Sequence, residues 1–585
     1  MMKGMKVLSK MLTMLSLVIV CIAMLSSVAI AQVVPIVPQA VKDAAIRIDQ
    51  DTKMIALKAL FMDVDKTTQR WIDHMEVTRI ASPSRQELHR AAELTKRFKE
   101  WGFSDAEIKT NSSNIIQGAG LQKVDGLPVY QACVEIKGSY SSRPGAKSYN
   151  GQYPKVLIEG HIDTVNPATL ANLNTRQYEP IKLQPIAGTS VASTAAELAA
   201  IPLELSFDAQ GKLIKNQAYT DAYKRFDTSA AASTGGGYRI YVPGYSDAMG
   251  NTINVLYLAR YAKQLDMKPV YDMWFCGTAG EEGRGNLAGM KQLYGYNQDT
   301  GKGNNALNFV ANFGIDGGGN TINFLGSYRF DVRYTAPANK DDKNAPSSVN
   351  AVAQAIAEIS KVRTIWDDDK SKPKVTYTVG VVKCTDASAD KRPSYCSFEI
   401  DMRAPTTANL NPIRDVLKPL FQKGATTENR RVGINDDSTS GAVKMSIEWF
   451  GDRPAYVRDT SDPANLDSAI YAAWQSAVQT NTDLPANLPL GSSSLNDNVP
   501  AAVGVPTINL AIGTTAGGGG NHAFNEWGTP GSAAKEANKA HRVLMTGLTA
   551  AGYHSNNGSG EVIIEPLAQD GPTQAWPLRT TSDLY

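Results

Sequence analysis

The sequence lacks several features that would place it in a specialised class of protein. Beyond its first 31 residues it has no apolar run long enough to cross a membrane. Its charges nearly balance, because 59 Lys and Arg residues stand against 57 Asp and Glu residues. This balance gives no reason to expect a nucleic acid or an anionic membrane surface as a partner. The chain also lacks internal repeats, and its 585 residues are enough for more than one hydrophobic core.

The first 31 residues have the pattern of a secretory signal peptide. Lysines at positions 3, 6 and 10 precede an apolar segment from Met11 to Leu25 and the small-residue sequence Ala29-Ile30-Ala31. Cleavage after Ala31 would leave 56 basic residues against 57 acids, a formal net charge of −1. We expect an exported protein, periplasmic or extracellular, with no membrane span after cleavage.

Cysteine is scarce, and only four of the five cysteines lie outside the signal segment. Cys384 and Cys396 flank a turn-rich stretch between two predicted strands, so a hairpin would place them opposite each other. Export to an oxidising compartment favours a disulfide there, and two reduced buried thiols are the alternative. Cys133 and Cys276 lie in apolar predicted strands, where we expect core residues.

Two adjacent acids, Glu281 and Glu282, lie in the glycine-rich turn Gly277-Thr278-Ala279-Gly280-Glu281-Glu282-Gly283. This turn directly follows the apolar run Met273-Trp274-Phe275-Cys276. At a strand end one side chain points into a cleft and its neighbour points away. One Glu can therefore bind a metal while the other transfers protons.

Other motifs supply further metal-ligand candidates at strand ends or in loops. His161 and Asp163 follow a buried strand, and this spacing lets the carboxylate support a metal-bound imidazole. Asp247 precedes an apolar helix, and Asp316 follows another apolar strand. The glycines before His522 lack the Gly-Lys-Ser/Thr of a phosphate-binding loop. Two imidazoles and three carboxylates suit a pair of zinc-like ions bridged by one acid: His161, Asp247, Glu282, Asp316 and His522.

These motifs occur in the order found in peptidase family M20, which contains zinc carboxypeptidases, aminoacylases, tripeptidases and deacylases. The chain resembles this family from roughly residue 70 to residue 550 through a set of short motifs. They are Gly160-His161-Ile162-Asp163-Thr164-Val165, Ser246-Asp247-Ala248-Met249-Gly250, the Glu281-Glu282 turn, Ile315-Asp316-Gly317, Asp497-Asn498-Val499-Pro500 and Gly520-Asn521-His522.

The resemblance implies a role for each matched residue. Asp247 would bridge two metal ions, with His161 and Asp316 completing one site. Glu282 and His522 would complete the other. Glu281 would be the general base, and the ions would be two Zn²⁺, with Co²⁺ or Mn²⁺ as possible substitutes.

The resemblance also implies an α/β fold in which a dizinc exopeptidase-like catalytic domain, a mixed sheet flanked by helices, carries an inserted ferredoxin-like α+β lid. We expect the catalytic domain at residues 32–325 and 452–557, with an insertion at about 166–240 on the surface near the cleft. The lid spans 326–451, where strand and helix patterns alternate, and in the family such a lid often forms a homodimer. Residues 558–585 form an unassigned tail.

One feature departs from the family, which usually carries a histidine soon after the first lid strand. Here no histidine occurs between His161 and His522. This absence puts in doubt a contribution from a neighbouring subunit to the active site. Arg329, Arg403 and Asn498 are candidates for orienting a substrate carboxylate or oxyanion.

The predicted function is an exported, metal-dependent amidohydrolase that cleaves a short peptide or an N-acyl amino acid. Glu281 would take a proton from the attacking water. A non-catalytic peptide-binding protein on the same fold is one alternative, although a pure binder would not need Glu281. An M28-like aminopeptidase is another, and the inserted lid between Asp316 and His522 favours M20 over it.

Overall fold

A computed structural model of the chain describes residues 38–567 except 112, 114–122, 125–126, 166–181, 186–205, 211, 215–237, 298–300, 318–319, 338–344, 368–374, 386–391, 458–465, 481–489, 511–514, 520, 524, 531–532 and 555–561. The expected signal peptide lies outside the described residues, as do most of the insertion and most of the tail.

The α-helices of the described residues are, in chain order, α1 (Gln39–Asp49), α2 (Thr52–Met62), α3 (Val64–Thr78), α4 (Leu88–Glu100), α5 (Gly250–Gln264), α6 (Ala288–Tyr294), α7 (Ser348–Asp367), α8 (Thr407–Arg431), α9 (Leu466–Thr480), α10 (Asn498–Ala502) and α11 (Ala533–Ala551). None of them is both long and apolar enough to span a membrane.

The strands are β1 (Ile108–Lys109), β2 (Lys123–Val124), β3 (Leu127–Pro128), β4 (Ala132–Ile136), β5 (Lys155–His161), β6 (Lys182–Pro185), β7 (Tyr238–Tyr241), β8 (Asp272–Thr278), β9 (Phe309–Gly314), β10 (Asn320–Phe324), β11 (Gly326–Thr335), β12 (Thr376–Cys384), β13 (Tyr395–Ala404), β14 (Lys444–Arg453), β15 (Leu490–Ser493), β16 (Thr507–Asn509), β17 (Thr515–Gly519), β18 (Trp527–Pro530), β19 (Tyr553–His554) and β20 (Val562–Ile564).

Local sequence explains where several helices lie. The side chain of Asp63 accepts a hydrogen bond from the backbone of Lys66 and caps α3, and Thr406 caps α8 through the backbone of Asn409. Helix α4 buries Ala91, Leu94 and Phe98, which are spaced by three and four residues as a one-sided helix requires.

An eight-stranded mixed sheet forms the centre of the molecule, in the order β1-β4-β8-β5-β9-β16-β10-β15. Four adjacent strands of this sheet run parallel to one another, in the order β8, β5, β9 and β16. Strands β5, β8 and β9 are buried along their whole length, which accounts for their nearly continuous apolar sequences. Their carboxyl ends meet at one edge of the sheet.

Both faces of this sheet are covered by buried side chains. Val156 and Ile158 of β5 pack in one cluster with residues of α5 and α11. Leu157, on the opposite face, packs in another cluster with residues of α6 and α10. Alternate side chains of one strand therefore enter different cores, which gives a three-layer α/β arrangement.

A second sheet of four antiparallel strands, β12-β13-β11-β14, is formed between residues 326 and 453. With α7 and α8 its chain order is β-α-β-β-α-β, which together with the strand order defines a ferredoxin-like module. Its core contains residues of both helices and of β11 and β13. Helix α8 contains two prolines, Pro412 and Pro419.

A third sheet, β17-β18-β7-β6, joins two regions that are far apart in sequence. Strands β6 and β7 lie within or at the end of the insertion predicted at about 166–240. Strand β7 pairs with β18 through Tyr241 and Trp527. The insertion therefore contributes strands to a sheet whose other half carries the chain segment around His522.

Two disulfides lie within the part of the chain that the structure describes. Cys384 and Cys396 are bonded, and they face each other where β12 pairs with β13, as predicted for a hairpin. Cys133 and Cys276 are buried core residues, as expected, and they are also bonded to each other, which was not predicted. Strands β4 and β8 are antiparallel neighbours that place these two residues directly opposite, with 4.1 Å between their Cα atoms. This pairing across 143 residues has no local sequence signal.

Candidate metal centre and active site

The carboxyl ends of three neighbouring strands bring the predicted ligands together. His161 is the last residue of β5, Glu281 and Glu282 lie just beyond β8, and Asp316 lies two residues beyond β9. Because these strands are parallel neighbours, their ends converge on one cleft, where α/β sheets commonly place functional groups. His161 is fully buried, and Glu281, Glu282 and Asp316 are nearly so.

Asp247 lies at the centre of the cluster, just before α5. Its Oδ1 is 3.3 Å from Nε2 of His161, and its Oδ2 is 3.1 Å from Nε2 of His522. Asp316 Oδ1 lies 3.8 Å from the same nitrogen of His161, and Glu282 Oε1 lies 3.1 Å from Nε2 of His522. Each oxygen of the Asp247 carboxylate thus faces a different histidine.

Two overlapping groups of potential metal ligands share Asp247. One contains His161, Asp247 and Asp316, and the other contains Asp247, Glu282 and His522, with ligand atoms of each group within 4.8 Å of one another. These are the groupings that the sequence motifs predict. Imidazole nitrogen and carboxylate oxygen are suitable donors for zinc and related divalent ions.

The electrostatics of the cluster also fit a cation. Burial raises the pKa of the Asp316 carboxyl well above its usual range, and the negative charges of Asp247, Glu281 and Glu282 act in the same direction. Burial and the charges of Asp247 and Glu281 raise the pKa of Glu282 to about 7. Crowded buried carboxylates of this kind repel each other, and a bound divalent cation would offset that repulsion.

Asp163 holds the Glu281-Glu282 turn. Its Oδ1 accepts a hydrogen bond from the backbone N–H of Glu281, and its Oδ2 accepts one from that of Glu282, both at 2.9 Å. Ser84 donates to the same Oδ2 at 2.6 Å. The predicted support of His161 is less direct, because Nδ1 is 3.1 Å from the Asp163 carbonyl and 3.5 Å from its Oδ1. The structure therefore adds a turn-anchoring contact that the motif does not reveal.

Glu526 holds the loop that carries Asp247. Its buried carboxylate accepts hydrogen bonds from the backbone N–H groups of Gly244, Ser246 and Asp247, at 2.7, 2.9 and 3.0 Å. Glu526 precedes β18 by one residue and lies four residues after His522. The segment that carries the candidate ligand His522 therefore also fixes the backbone of the candidate ligand Asp247. The sequence motifs did not reveal this role of Glu526.

Arg453, at the end of β14, contacts the predicted general base. Its Nη1 donates to Glu281 Oε1 at 2.8 Å, and its Nη2 donates to the Glu281 carbonyl. Arg329 of β11 donates to the carbonyl of Gly283 at 2.5 Å. Two arginines of the second sheet therefore also hold the turn that Asp163 binds. Arg453 is 172 residues from Glu281, and Arg329 is 46 residues from Gly283. Short sequence motifs could not indicate these contacts.

The three residues suggested for substrate orientation have different surroundings. Arg329 is buried, while the side chain of Arg403 is 38% exposed and binds Asp401 at 2.9 Å. Asn498 is buried and donates to the carbonyls of Leu325 and Pro454, both at 2.7 Å. Asn498 therefore stabilises the chain where the second sheet joins the first.

A cavity of about 420 Å³ opens between the metal-ligand cluster and the second sheet. Its size is within the range of small-molecule binding sites. Glu282 and His522 line one side of this cleft, and residues of β12 and β13 line the other, including Gly380 and Arg403. The candidate metal ligands are therefore accessible from a space large enough for a small organic molecule.

Comparisons with known proteins identify the fold. No protein-family model matches the chain, and neither does any curated protein sequence. Human carnosine dipeptidase 1 has a similar structure, with a TM-score of 0.51, 12% sequence identity, and coverage of 85% of this chain and 99% of that chain.

Two bacterial structures also match. A tripeptidase from Staphylococcus aureus has a TM-score of 0.48 and 13% identity, over 83% of this chain and 99% of that chain. A Bacillus subtilis protein described as a dinuclear metal binding peptidase from the M20 family has a TM-score of 0.41 and 12% identity, over 82% and 98%. The α/β fold expected from the sequence motifs is confirmed by the match to the dipeptidase.

Proposed function

We propose that the chain is a metal-dependent amidohydrolase of the M20 type that cleaves a short peptide or an N-acyl amino acid. One observation carries this proposal. Two groups of potential ligands share Asp247, and Glu281 lies beside them with ligand atoms of His161 and Glu282 within 4.8 Å. The cleft of about 420 Å³ leads directly to these residues and suits a substrate of a few amino acids.

In the proposed site, His161 and Asp316 would hold one ion, Glu282 and His522 would hold the other, and Asp247 would serve both. Two bound Zn²⁺, Co²⁺ or Mn²⁺ ions would supply Lewis acidity, which lowers the pKa of a water and polarises a carbonyl. Asp163 and Glu526 keep the turn and the loop in place through the backbone contacts described above.

Glu281 acts as the general base. Its carboxylate accepts a proton from the water whose oxygen attacks the amide carbonyl carbon. As the C–N bond breaks, Glu281 returns that proton to the nitrogen of the leaving amine. Proton transfer of this kind accelerates reactions by about 10²–10⁴-fold. The products are a carboxylic acid and an amine, and the base returns to its starting form.

Export remains part of the proposal. The signal pattern of residues 1–31 and the two disulfides both support a periplasmic or extracellular location, because disulfides persist in oxidising compartments. A homodimer through the ferredoxin-like module is also proposed, and light scattering of the purified mature protein would measure its mass.

The test is a substrate screen with controlled metal content. Mature protein is stripped with a chelator and assayed against dipeptides, tripeptides and N-acetyl amino acids, before and after addition of Zn²⁺, Co²⁺ or Mn²⁺. We expect hydrolysis of at least one class to disappear with the metal and return with it. If these compounds bind to the metal-loaded protein but none is cleaved, the chain is a non-catalytic binding protein.

A further inference from the structure

Gly380 lies in β12 and lines the cleft opposite the candidate metal ligands. Thr376, Thr378 and Val381 of the same strand also line it, as do Glu282 and His522. Because Gly380 itself lines the cavity, a side chain at this position would extend from the cavity wall.

The backbone does not require glycine at this position. The φ angle of Gly380 lies outside the left-handed region that favours glycine, and a Cβ atom added there would meet no other atom within 4 Å. By contrast, a Cβ on Gly451 in β14 would lie 2.7 Å from the side chain of Arg329. Neither conformation nor close packing explains Gly380.

Gly380 is also the extra residue of a β-bulge. Val379 pairs with Ile400 and Val381 pairs with Glu399, so Gly380 has no partner on β13. Glycine weakens a strand interior, and where it is retained it often marks a bulge or a place that a ligand approaches closely. Gly380 lies both in a bulge and on the wall of a cleft that could receive a ligand.

We propose that Gly380 is a specificity-determining residue, which leaves room in the cleft for a bulky side chain of the amide substrate. Val165, Val381 and Phe450 supply apolar surface to the same cleft. An aliphatic or aromatic substrate side chain would bury its surface against them. This inference rests on the proposed function, because it assumes that the cleft receives the substrate.

The test is a series of substitutions of increasing size, Gly380→Ala, Gly380→Val and Gly380→Phe. Each variant is assayed with N-acetylalanine, N-acetylphenylalanine, Ala-Ala and Phe-Phe. We expect the kcat/KM ratio of the phenylalanine to the alanine compound to fall stepwise, by about tenfold or more for Gly380→Phe. The values for the alanine compounds and the metal content should change little. Val382→Phe is the matched control, because Val382 is 56% exposed on the same strand and does not line the cleft.

A second measurement separates this inference from the proposed function. Calorimetry gives the Kd of the same four compounds for the zinc-loaded wild type and variants, whether or not they are cleaved. If the wild type binds without cleaving, the hydrolase proposal fails, while a stepwise loss of phenylalanine binding would still support the role of Gly380. If folded, metal-loaded Gly380→Val and Gly380→Phe proteins keep the wild-type ratio in both measurements, the inference is wrong.

Discussion

Arg453 donates a hydrogen bond from Nη1 to Oε1 of Glu281 across 2.8 Å, and both side chains are almost completely buried. Arg453 is the last residue of β14 in the ferredoxin-like module, whereas Glu281 follows β8 in the central sheet. The proposed general base is therefore held by a residue from the other side of the cleft. The module has no histidine with which to contribute to the site, and this arginine contacts the proposed base directly.

Replacing Arg453 should impair catalysis more than substrate binding. In Arg453→Met the carboxylate and carbonyl of Glu281 lose their buried partner, so the base is no longer held in place. We expect kcat to fall about 10²-fold, with KM and metal content little changed. Breaking a buried ion pair should also lower the free energy of unfolding by about 3 kcal/mol.

Arg453→Lys keeps the positive charge without the two-pronged contact, and should recover part of kcat. Steady-state kinetics, metal analysis and urea unfolding on the same preparations provide the measurements. A variant that is less stable but keeps wild-type kcat would show that Arg453 has a structural role only.

Asp247 should be required for both ions. Asp247→Ala removes the carboxylate shared by the two ligand groups, so we expect metal analysis to find neither ion bound tightly. Glu282→Ala and His522→Ala should weaken chiefly one site. Asp266→Ala is the control, because the Asp266 side chain is 72% exposed and belongs to none of the ligand groups. Two tightly bound ions in Asp247→Ala would rule out the bridging role.

The two disulfides should contribute unequally to stability. In the chain-entropy model, a cross-link that closes a longer loop removes more freedom from the unfolded chain. The sequence separations are 143 residues for Cys133–Cys276 and 12 for Cys384–Cys396, which correspond to about 5 and about 3 kcal/mol. We therefore expect Cys133→Ala/Cys276→Ala to lower the free energy of unfolding more than Cys384→Ala/Cys396→Ala.

Mass spectrometry of unreduced peptides tests the bridges themselves. Each wild-type pair should appear as a linked peptide that separates on reduction. A free Cys133 or Cys276 thiol in protein purified from an oxidising compartment would contradict the pairing seen across β4 and β8.

Lys155 offers a pH test of stability away from the metal centre. It is 2% exposed, and burial lowers its pKa from 10.5 to about 8. Below pH 8 the lysine is charged in both the folded and the unfolded chain, so the full cost of burying its charge is present. Between about pH 8 and 10.5 the folded form is neutral while the unfolded form still binds a proton, so this cost declines as pH rises.

Lys155→Met removes that charge, together with hydrogen bonds to Oε1 of Gln152 and the carbonyl of Tyr153. Removing the buried charge should raise the free energy of unfolding at pH 7 by about 3 kcal/mol. Loss of each hydrogen bond should lower it by about 1 kcal/mol. We expect the variant to be about 1 kcal/mol more stable than wild type at pH 7 and to lose this advantage by pH 10. A stability difference that is the same at pH 7, 8.5 and 10 in urea unfolding would contradict the depressed pKa.

His161, Glu282 and Asp316 could be singled out as ligand candidates from sequence because each follows an apolar strand. The structure brings them together because the carboxyl ends of parallel strands share one sheet edge. Asp247 and His522 were expected there only through the family motifs. Secondary structure could also be predicted in part. The alternating strand and helix patterns expected at residues 326–451 agree with the observed order of β11, α7, β12, β13, α8 and β14.

The supporting contacts could not be predicted, because they depend on which segments become neighbours. Arg453 and Glu281 are 172 residues apart, and Glu526 and Asp247 are 279 apart. Nothing in the local sequence around Arg453 or Glu526 indicates these contacts. The Cys133–Cys276 bond was missed for the same reason, since nothing local indicates that β4 pairs with β8. The strands of the insertion also acquire their role only by pairing with β18.

A comparison of the variants Glu281→Gln and Glu282→Gln tests the proposed hydrolase function most directly. Glu281→Gln preserves size and hydrogen bonding but removes the base, whereas Glu282→Gln removes a charged ligand. Metal content and turnover are measured on the same samples, with the best compound from the substrate screen. We predict that Glu281→Gln keeps two ions and binds substrate while kcat falls at least about 10²-fold, and that Glu282→Gln also loses metal affinity. Near-normal turnover in Glu281→Gln would contradict its role as the base.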